Sequence, residues 1–339
     1  MIDKILVIGP SSTHVSRYID LVAGLCNEII YVGEAPIVNP NIKTTHLINF
    51  RSINPLHIIS NSKKLKRIIL DEKASVIHIH QINRVAFFAA RILSKLKTKF
   101  VVTAWGSDVL VIPNQNAIFK KMTQKVLNTA ACITADSNEM IDSIKTLSNN
   151  KNVELVYFGV DPIAALPKEK IIFSNRALFK LYQIDAVIKE FASFVKTASD
   201  WKLIIGGKGE ELQNLKSLVK DLALEDKVEF VGWLSREDNI SYYQRATIYV
   251  SLPTSDGTSV SLLEAMSAGC IPVLSDLTVS YEWIENKKNG IIKCDNENAF
   301  VSALNLDLNK AQTINSKIIV TKATGQITTK MFESIYQNL

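Results

Sequence analysis

Short runs of β-branched and other apolar residues alternate with amphipathic stretches along the chain, and this alternation constrains the fold more than any other feature. In the first half, the β-rich runs are Ile5–Ile8, Glu28–Gly33, Val76–His80 and Phe100–Thr103. Strands that alternate with helices of about 10–15 residues pair in parallel, because each helix returns the chain to the edge where the next strand begins. The sequence therefore predicts an α/β protein built from βαβ units.

The alternation is interrupted at residues 159–168, a stretch with two prolines and no clear period, and it restarts afterwards. Such a stretch is typical of a linker. A chain of 339 residues is also about the length of two domains. We therefore predict two doubly wound, Rossmann-like domains facing a cleft that holds the ligand. The first covers residues 1–163, and the second begins at residue 164.

Composition and charge exclude several classes of protein. Hydrophobic residues make up 47% of the chain, which excludes a disordered protein. The four cysteines include no Cys-x-x-Cys pair, which excludes a zinc ribbon or a thioredoxin-type site and is typical of a reduced, cytosolic chain. No run of about 18 apolar residues occurs, so we expect no transmembrane helix and a cytoplasmic protein.

The positive charge is concentrated in the first half. Residues 1–163 contain 19 Lys+Arg and 12 Asp+Glu, a net charge of +7, whereas residues 164–339 contain 20 and 21, a net charge of −1. A basic domain attracts anionic partners such as phosphate or a membrane surface, although an ordinary solvated surface explains the charge equally well. Nucleic-acid binding would rest on charge alone, without a motif, so we expect no nucleic-acid partner.

The most informative segment covers residues 251–274. A β-rich run at Ile248–Leu252 ends at Pro253, a polar loop follows, and a helix is predicted from Val260 to Ala268, with Gly269 as its C-cap. Free backbone N–H groups and the helix dipole at such a helix start favour an anion such as phosphate. The candidate anion-binding residues are Gly257, Thr258, Ser259 and Val260.

Two carboxylates flank this helix start. Glu264 lies in an otherwise small and apolar helical turn, where a carboxylate is costly unless hydrogen-bond donors surround it. Sugar hydroxyls would supply those donors, and Asp256, eight positions earlier, can contact a second part of the same ligand. In the alternative interpretation Asp256 caps the helix and Glu264 bonds to the backbone.

These residues resemble the signature of the group 1 glycosyltransferases, the retaining enzymes of glycosyltransferase family four that have the GT-B fold. The signature has two carboxylates separated by seven residues, followed by Ala-Met-Ala-x-Gly-x-Pro-Val. Here the carboxylates are Asp256 and Glu264, and residues 265–273 read Ala-Met-Ser-Ala-Gly-Cys-Ile-Pro-Val. The wider family has Glu in place of Asp256, so the reach is shorter by one methylene. Weaker resemblances extend over most of residues 150–295.

The resemblance implies a donor-binding domain at residues 164–322, an acceptor-binding domain at 1–163 and a final helix, 323–339, that crosses back to the first domain. It places Glu264 on the ribose hydroxyls of the nucleotide and Asp256 on the transferred sugar, as a catalytic residue. The family holds the donor phosphates with an Arg and a Lys, and Arg176 matches the Arg. The Lys is displaced, which leaves Lys180, Tyr182 or Lys208 for its role. Further donor-side candidates are Gly207 in the glycine turn and, near the nucleotide base, Gly232 and Trp233.

In the first domain the resemblance is less specific. The family's Thr-x-His-Gly loop corresponds to Thr103–Asp108, with Trp105 in place of the histidine; Asp108 is expected to face the cleft as a second catalytic residue. The acceptor-side candidates are Ser12, Thr13, His14, His80 and Trp105. In the alternative interpretation the two histidines are structural.

The implied reaction transfers a sugar from a nucleotide diphosphate sugar, with retained configuration, as in hexosyltransferases. The implied acceptor is a glycan or a lipid-linked molecule, in polysaccharide or lipopolysaccharide synthesis. No cofactor is expected. No Asp-x-Asp pair occurs, so no metal is expected either. The basic stretches at residues 63–70 and 91–99 suggest peripheral contact with the inner face of a membrane, and plain amphipathic packing explains them as well.

Other activities fit less well. A nucleotide-sugar 2-epimerase of the same fold needs acidic residues and histidines around the sugar, and all five histidines precede residue 81. A non-catalytic subunit is suggested by Trp105 and the displaced Lys. A nicotinamide dehydrogenase is disfavoured, because Gly9-Pro-Ser-Ser-Thr lacks the Gly-x-Gly-x-x-Gly turn.

Overall fold

The computed structural model describes residues 1–49, 54–294 and 297–339. The chain divides into two compact units. Unit 1 is Met1–Phe158 together with Gly325–Leu339, and unit 2 is Gly159–Thr324. The predicted limits at 163 and 322 lie within five residues of these boundaries.

Unit 1 contains a parallel seven-stranded sheet of order β3-β2-β1-β4-β5-β6-β7. Its strands are β1 (Ile2–Ile8), β2 (Cys26–Gly33), β3 (Ile42–Leu47), β4 (Val76–His80), β5 (Val101–Thr103), β6 (Cys132–Ala135) and β7 (Val153–Leu155). Its helices, in chain order, are α1 (Thr13–Val22), α2 (Pro55–Glu72), α3 (Arg84–Leu96), α4 (Ser107–Leu110), α5 (Ile112–Gln115), α6 (Ala117–Thr129) and α7 (Asn138–Leu147). A 3₁₀ turn, Ala23–Leu25, follows α1.

The first sheet buries apolar residues on both faces, as a parallel sheet covered by crossover helices must. Leu6 and Ile8 belong to one core cluster with apolar residues of α2, α3, α6 and α7. Polar side chains fix where these helices start, because an N-cap oxygen accepts from a free N–H of the first turn. These caps are Ser12, Asn54, Asn83, Asn116 and Ser137.

Unit 2 contains a parallel six-stranded sheet of order β10-β9-β8-β11-β12-β13. Its strands are β8 (Glu169–Ser174), β9 (Lys202–Gly206), β10 (Val228–Gly232), β11 (Ala246–Ser251), β12 (Ile271–Leu274) and β13 (Ile291–Ile292). Its helices are α8 (Ile184–Phe194), α9 (Leu212–Asp221), α10 (Arg236–Arg245), α11 (Val260–Ser267), α12 (Ala299–Leu304) and α13 (Leu308–Lys322). Short 3₁₀ turns lie at Lys180–Tyr182 and Thr278–Glu282.

The last helix, α14 (Gly325–Gln337), belongs to unit 1 and packs against α1. Its Tyr336 hydroxyl lies 2.5 Å from the hydroxyl of Tyr18, and both rings are buried. Along the described residues, no helix is both long and apolar enough to span a bilayer.

The predicted α/β architecture with parallel sheets is confirmed. The helix of the signature segment also ends as predicted: Gly269 follows it with φ of 81°, a left-handed conformation that favours glycine. Two strands were not predicted. β3 is a half-exposed edge strand with mostly polar residues, and β13 has two residues, so neither carries a strong strand pattern.

Candidate functional site

The candidate site lies at the carboxyl edge of the second sheet. β8 and β11 are neighbours there, and the strand order reverses between them: β9 and β10 lie on the far side of β8, and β12 and β13 beyond β11. In doubly wound sheets, ligands bind outside the carboxyl ends of the strands at this reversal. The residues that follow β8, and the loop that follows β11, contain most of the predicted donor-side residues.

Arg176 and Asp256 form an ion pair at this edge. Arg176 Nη2 donates to Asp256 Oδ2 at 2.6 Å, and Nη1 donates to Ser261 Oγ at 3.1 Å. The guanidinium also lies 4.5 Å from the centre of the Tyr182 ring. Burial, the largest single effect, disfavours the charged guanidinium. The Asp256 carboxylate and the nearby phenols of Tyr249, Tyr182 and Tyr243 together outweigh burial, so the pKa of Arg176 is raised above its ordinary value. Burial raises the pKa of Asp256, and Arg176 limits that rise.

The start of α11 is capped by Ser259, whose Oγ accepts from the Leu262 N–H at 3.3 Å. The alternative in which Asp256 caps this helix is therefore wrong: its Oδ1 accepts from the Gly257 N–H at 3.1 Å, one residue along the loop. Thr258 Oγ1 accepts from the indole N–H of Trp283 at 3.1 Å, which fixes the loop to the fold. Gly257, Thr258 and Val260 are buried at this helix start.

Glu264 lies within α11 and is buried, with 8% of its surface exposed. The Tyr243 phenol is close enough for the charge of Glu264 to raise the pKa of Tyr243, with burial as the larger cause. Glu264 thus lies on the helix that follows the loop of Asp256, at the side of unit 2 that contains the Arg176–Asp256 pair.

Several buried polar atoms at this edge have no hydrogen-bond partner among the residues that the structure describes. They are Ser174 Oγ, Asn175 Oδ1, Arg176 Nε and Ser275 Oγ. Buried polar groups are almost always hydrogen-bonded in proteins, so such groups at the ends of strands are available to bond with a ligand or with water. Sequence reasoning missed Ser174, Asn175 and Ser275. Their positions at the ends of β8 and β12 were the available signal.

The glycine turn after β9 packs directly on the segment that carries Arg176. Gly207 has φ of 122°, and a Cβ placed on it would lie 2.4 Å from the Arg176 carbonyl oxygen. The Lys208 carbonyl accepts from the Leu178 N–H at 3.0 Å. Close backbone approach therefore requires glycine at position 207.

The three candidates for the displaced Lys occupy different environments. Lys180 and Lys208 are exposed, and neither forms an ion pair with any residue in the described ranges. Tyr182 instead stacks under the Arg176 guanidinium.

On the nucleotide-base side, the candidates are Gly232 and Trp233. The Gly232 carbonyl accepts from the Gly207 N–H at 2.6 Å, and Trp233 is 59% exposed.

In unit 1, the acceptor-side candidates also lie at the carboxyl edge of their sheet. Ser12 caps α1 by accepting from the Val15 N–H at 3.3 Å, and Thr13 is the first residue of that helix. The exposed His14 lies with its ring 5.1 Å from that of Trp105. The Trp105 indole N–H is buried, with no partner in the described part of the chain.

His80 is fully buried, and neither ring nitrogen has a hydrogen-bond partner among the described residues. Burial lowers its pKa to about 3, with a smaller effect of His14 in the same direction. Its ring lies 4.0 Å from that of Tyr18. His78, two residues earlier in β4, has a partner for each ring nitrogen: the Tyr336 hydroxyl and Thr103 Oγ1, each at 2.7 Å.

The prediction that Asp108 faces a cleft is wrong. The side chain has no exposed surface, and its carboxylate accepts from the backbone N–H groups of Ile82 at 2.7 Å and Trp105 at 2.9 Å. Burial raises its pKa to about 6 in spite of these hydrogen bonds. Asp108 therefore holds the loops after β4 and β5 together, and the predicted catalytic contact does not fit its position.

Within the described ranges, no group of three or more His, Cys, Asp or Glu side chains could hold a metal ion. The positive charge at the carboxyl edge of the second sheet comes from Arg176 and from the N-terminus of α11.

Two family descriptions match the sequence. Residues 161–317 match "Glycosyl transferases group 1", and residues 4–137 match "Glycosyl transferase 4-like". Together these matches fall on both units, and the first contains Arg176, Asp256 and Glu264.

Two curated relatives are similar over part of their length. A glycosyltransferase of Haemophilus influenzae is 32% identical over 163 residues, which are 44% of this chain and 43% of that protein. The N-acetyl-alpha-D-glucosaminyl L-malate synthase of Bacillus anthracis is 24% identical over 63% of this chain and 60% of that protein. The chain thus matches less than two thirds of the length of either relative.

The Anabaena protein HepE, solved in complex with UDP and glucose, has a similar structure. It superposes with a TM-score of 0.84 at 14% sequence identity, over 99% of this chain and 100% of that one. At this identity the likeness shows the fold alone. The predicted GT-B fold is confirmed.

Proposed function

Because the chain belongs to the group 1 glycosyltransferase family, we propose that it transfers a sugar from a nucleotide diphosphate sugar to a glycan or lipid-linked acceptor. We further propose that the sugar keeps its anomeric configuration and that the product belongs to cell-surface polysaccharide or lipopolysaccharide synthesis. The UDP and glucose bound in the HepE structure support a nucleotide sugar as the donor.

One observation carries the proposal. The carboxyl edge of the second sheet joins the partly buried Arg176–Asp256 pair, a capped helix start and the buried Glu264, next to polar atoms without partners among the described residues. A phosphate needs concentrated donors and positive charge, and sugar hydroxyls need carboxylate acceptors. Both kinds of group lie together there.

The Nε–H of the Arg176 guanidinium has no hydrogen-bond partner among the described residues. Its two Nη atoms are engaged by Asp256 and Ser261, whereas Nε is buried without a partner. We assign Nε–H to an oxygen of the leaving diphosphate. Negative charge grows on that group as the glycosidic bond breaks, and a fixed donor in a buried site stabilises it without reorganisation.

The remaining residues have complementary roles in the proposal. Asp256 accepts from hydroxyls of the transferred sugar, and Glu264 accepts from the ribose hydroxyls. The leaving phosphate takes the proton of the acceptor hydroxyl on the same face of the sugar, which retains its configuration. Arg176 and the N-terminus of α11 supply the positive charge, so we propose that the reaction needs no metal.

A thermal-shift screen tests donor binding. UDP, GDP, ADP and CMP are added separately to the full chain, each with and without Mg²⁺. A ligand that binds only the folded state raises the melting temperature by mass action. We expect a shift with one nucleotide that is independent of Mg²⁺. A shift that requires Mg²⁺ would contradict the metal-independent reaction.

Turnover is then tested with the sugar donors of the nucleotide that binds. Donor hydrolysis or transfer to membrane-extracted acceptors, lost in Arg176→Gln, would support the enzymatic function. Nucleotide binding without any turnover would favour a non-catalytic subunit, and binding of none of the nucleotides would contradict the donor site itself.

A further inference from the structure

The outer helices of unit 1 carry an unusually one-sided charge. α2, α3 and α6 adjoin one another in that order on one face of the first sheet. Their sequences together contain ten Lys and Arg residues but only two acidic residues, Asp71 and Glu72, both in the last turn of α2. These three helices therefore present a continuous cationic surface that is remote in sequence from the donor-side residues.

A groove of about 420 Å³ runs between α2 and α3 on this surface. Four cations line it: Lys63 and Lys66 from α2, and Arg91 and Lys95 from α3. None of the four forms an ion pair with a residue in the ranges that the structure describes, although Arg91 lies 5.5 Å from the centre of the Phe87 ring. The positive charge of the groove is therefore not neutralised within the described chain.

Apolar side chains also line this groove. They include Ile59 and Phe88, and Ile59 is 52% exposed although it is a large aliphatic residue. Leu56, one turn earlier on α2, is 73% exposed. Cations with long aliphatic stems around exposed apolar side chains match the boundary of a bilayer, where phosphate headgroups lie above acyl chains.

We propose that the α2–α3 groove binds the anionic phospholipid surface of a membrane, with phosphate groups on Lys63, Lys66, Arg91 and Lys95 and with Ile59 and Phe88 at the acyl boundary. Charge complementarity selects the occupant: a neutral bilayer or an apolar peptide leaves four cations without counter-charges. The binding does not depend on the proposed sugar transfer, because the residues that carry it lie in unit 1.

Vesicle co-sedimentation of the full chain tests this. The vesicles are phosphatidylcholine with or without phosphatidylglycerol. We expect binding only when phosphatidylglycerol is present, and weaker binding at high salt, because salt screens the attraction. Replacing Lys63, Lys66, Arg91 and Lys95 with Gln should lower the partition onto anionic vesicles by at least about tenfold.

A matched variant controls for net charge. Lys196, Lys202, Lys216 and Lys220 are exposed lysines of unit 2, and their replacement by Gln removes the same charge elsewhere. This variant should bind vesicles like the wild type. Melting temperature and nucleotide-induced shift should be unchanged in both variants, which separates failure of this proposal from failure of the donor site.

Three results would overturn the proposal. The first is equal binding to vesicles with and without phosphatidylglycerol. The second is an equal loss of binding in the two variants. The third is that single-stranded RNA, but not anionic vesicles, is bound through the four groove residues, which would make the groove a nucleic-acid surface.

Discussion

Arg176 Nη2 donates to Asp256 Oδ2 across 2.6 Å and thereby ties the end of β8 to the loop before α11. The two side chains are 10% and 23% exposed, so the pair lies at the border of a buried site. A buried ion pair adds little to stability by itself, but removal of one partner leaves an uncompensated charge. The pair is therefore suited to hold Arg176 in position for a phosphate while Asp256 stays accessible to a sugar.

Asp256→Asn should destabilise unit 2 by about 3 kcal/mol, because it leaves the Arg176 guanidinium buried without its counter-charge. Urea unfolding followed by tryptophan fluorescence measures this. Asp226→Asn is the matched control: its carboxylate is 72% exposed and pairs with Lys227. An exposed pair contributes about 0–1 kcal/mol. Equal stability of the two variants would contradict the role assigned to the Arg176–Asp256 pair.

Glu264→Gln should weaken nucleotide-sugar binding by about 1–3 kcal/mol, because the amide loses the charge that strengthens hydrogen bonds from ribose hydroxyls. Its size is nearly that of Glu, so the fold should be kept. Titration calorimetry with the nucleotide that binds gives the affinity. The exposed Glu225→Gln serves as the control in the same unit. Wild-type affinity and turnover in Glu264→Gln would remove Glu264 from the site.

His80 should make the fold sensitive to acid. Its pKa is lowered to about 3 by burial, whereas an unfolded histidine titrates near about 6.5. Between these values the unfolded chain binds a proton that the native chain does not. The contribution of His80 to the free energy of unfolding is therefore fully present above about pH 6.5 and is lost as the pH falls toward 3. Asp108 has the opposite effect below about pH 6, because its pKa is raised to about 6.

The variant His80→Phe isolates the histidine. Both ring nitrogens of His80 are without partners in the described chain, so the aromatic replacement removes no hydrogen bond. We expect the variant and the wild type to have similar free energies of unfolding at pH 7.5. Between pH 6.5 and 4, the free energy of unfolding should depend less steeply on pH in the variant, by the equivalent of about one bound proton. Denaturant unfolding across this range measures both. Parallel profiles for the two proteins would show that the native state does not lower the pKa of His80.

Gly207→Ala should destabilise unit 2 by more than about 1 kcal/mol, since φ of 122° and a contact of 2.4 Å with the Arg176 carbonyl oxygen both exclude a Cβ. The turn can relax only by displacing Arg176, so nucleotide affinity should fall as well. At Gly24 an added Cβ meets nothing within 4 Å, and Gly24→Ala should be close to neutral. Unchanged nucleotide binding in Gly207→Ala would show that this turn does not position Arg176.

The alternation of strands and helices, the linker near residue 160 and the signature segment with its glycine cap were readable from the sequence. These features depend on local pattern: hydrophobic period, turn residues and capping act within a few positions of one another. The edge strand β3 was not predicted, because its half-exposed sequence, Ile-Lys-Thr-Thr-His-Leu, lacks a strong apolar run.

The sequence by itself determined the fold class and the family, and it singled out the candidate site residues. Only the tertiary structure decided their environments. It paired Arg176 with Asp256, placed Tyr182 under the guanidinium, gave the cap of α11 to Ser259, and closed Asp108 and His80 off from solvent. The physical reason is that burial and hydrogen-bond partners come from residues distant in sequence: β8 and β11 are neighbours in the sheet but about seventy residues apart along the chain.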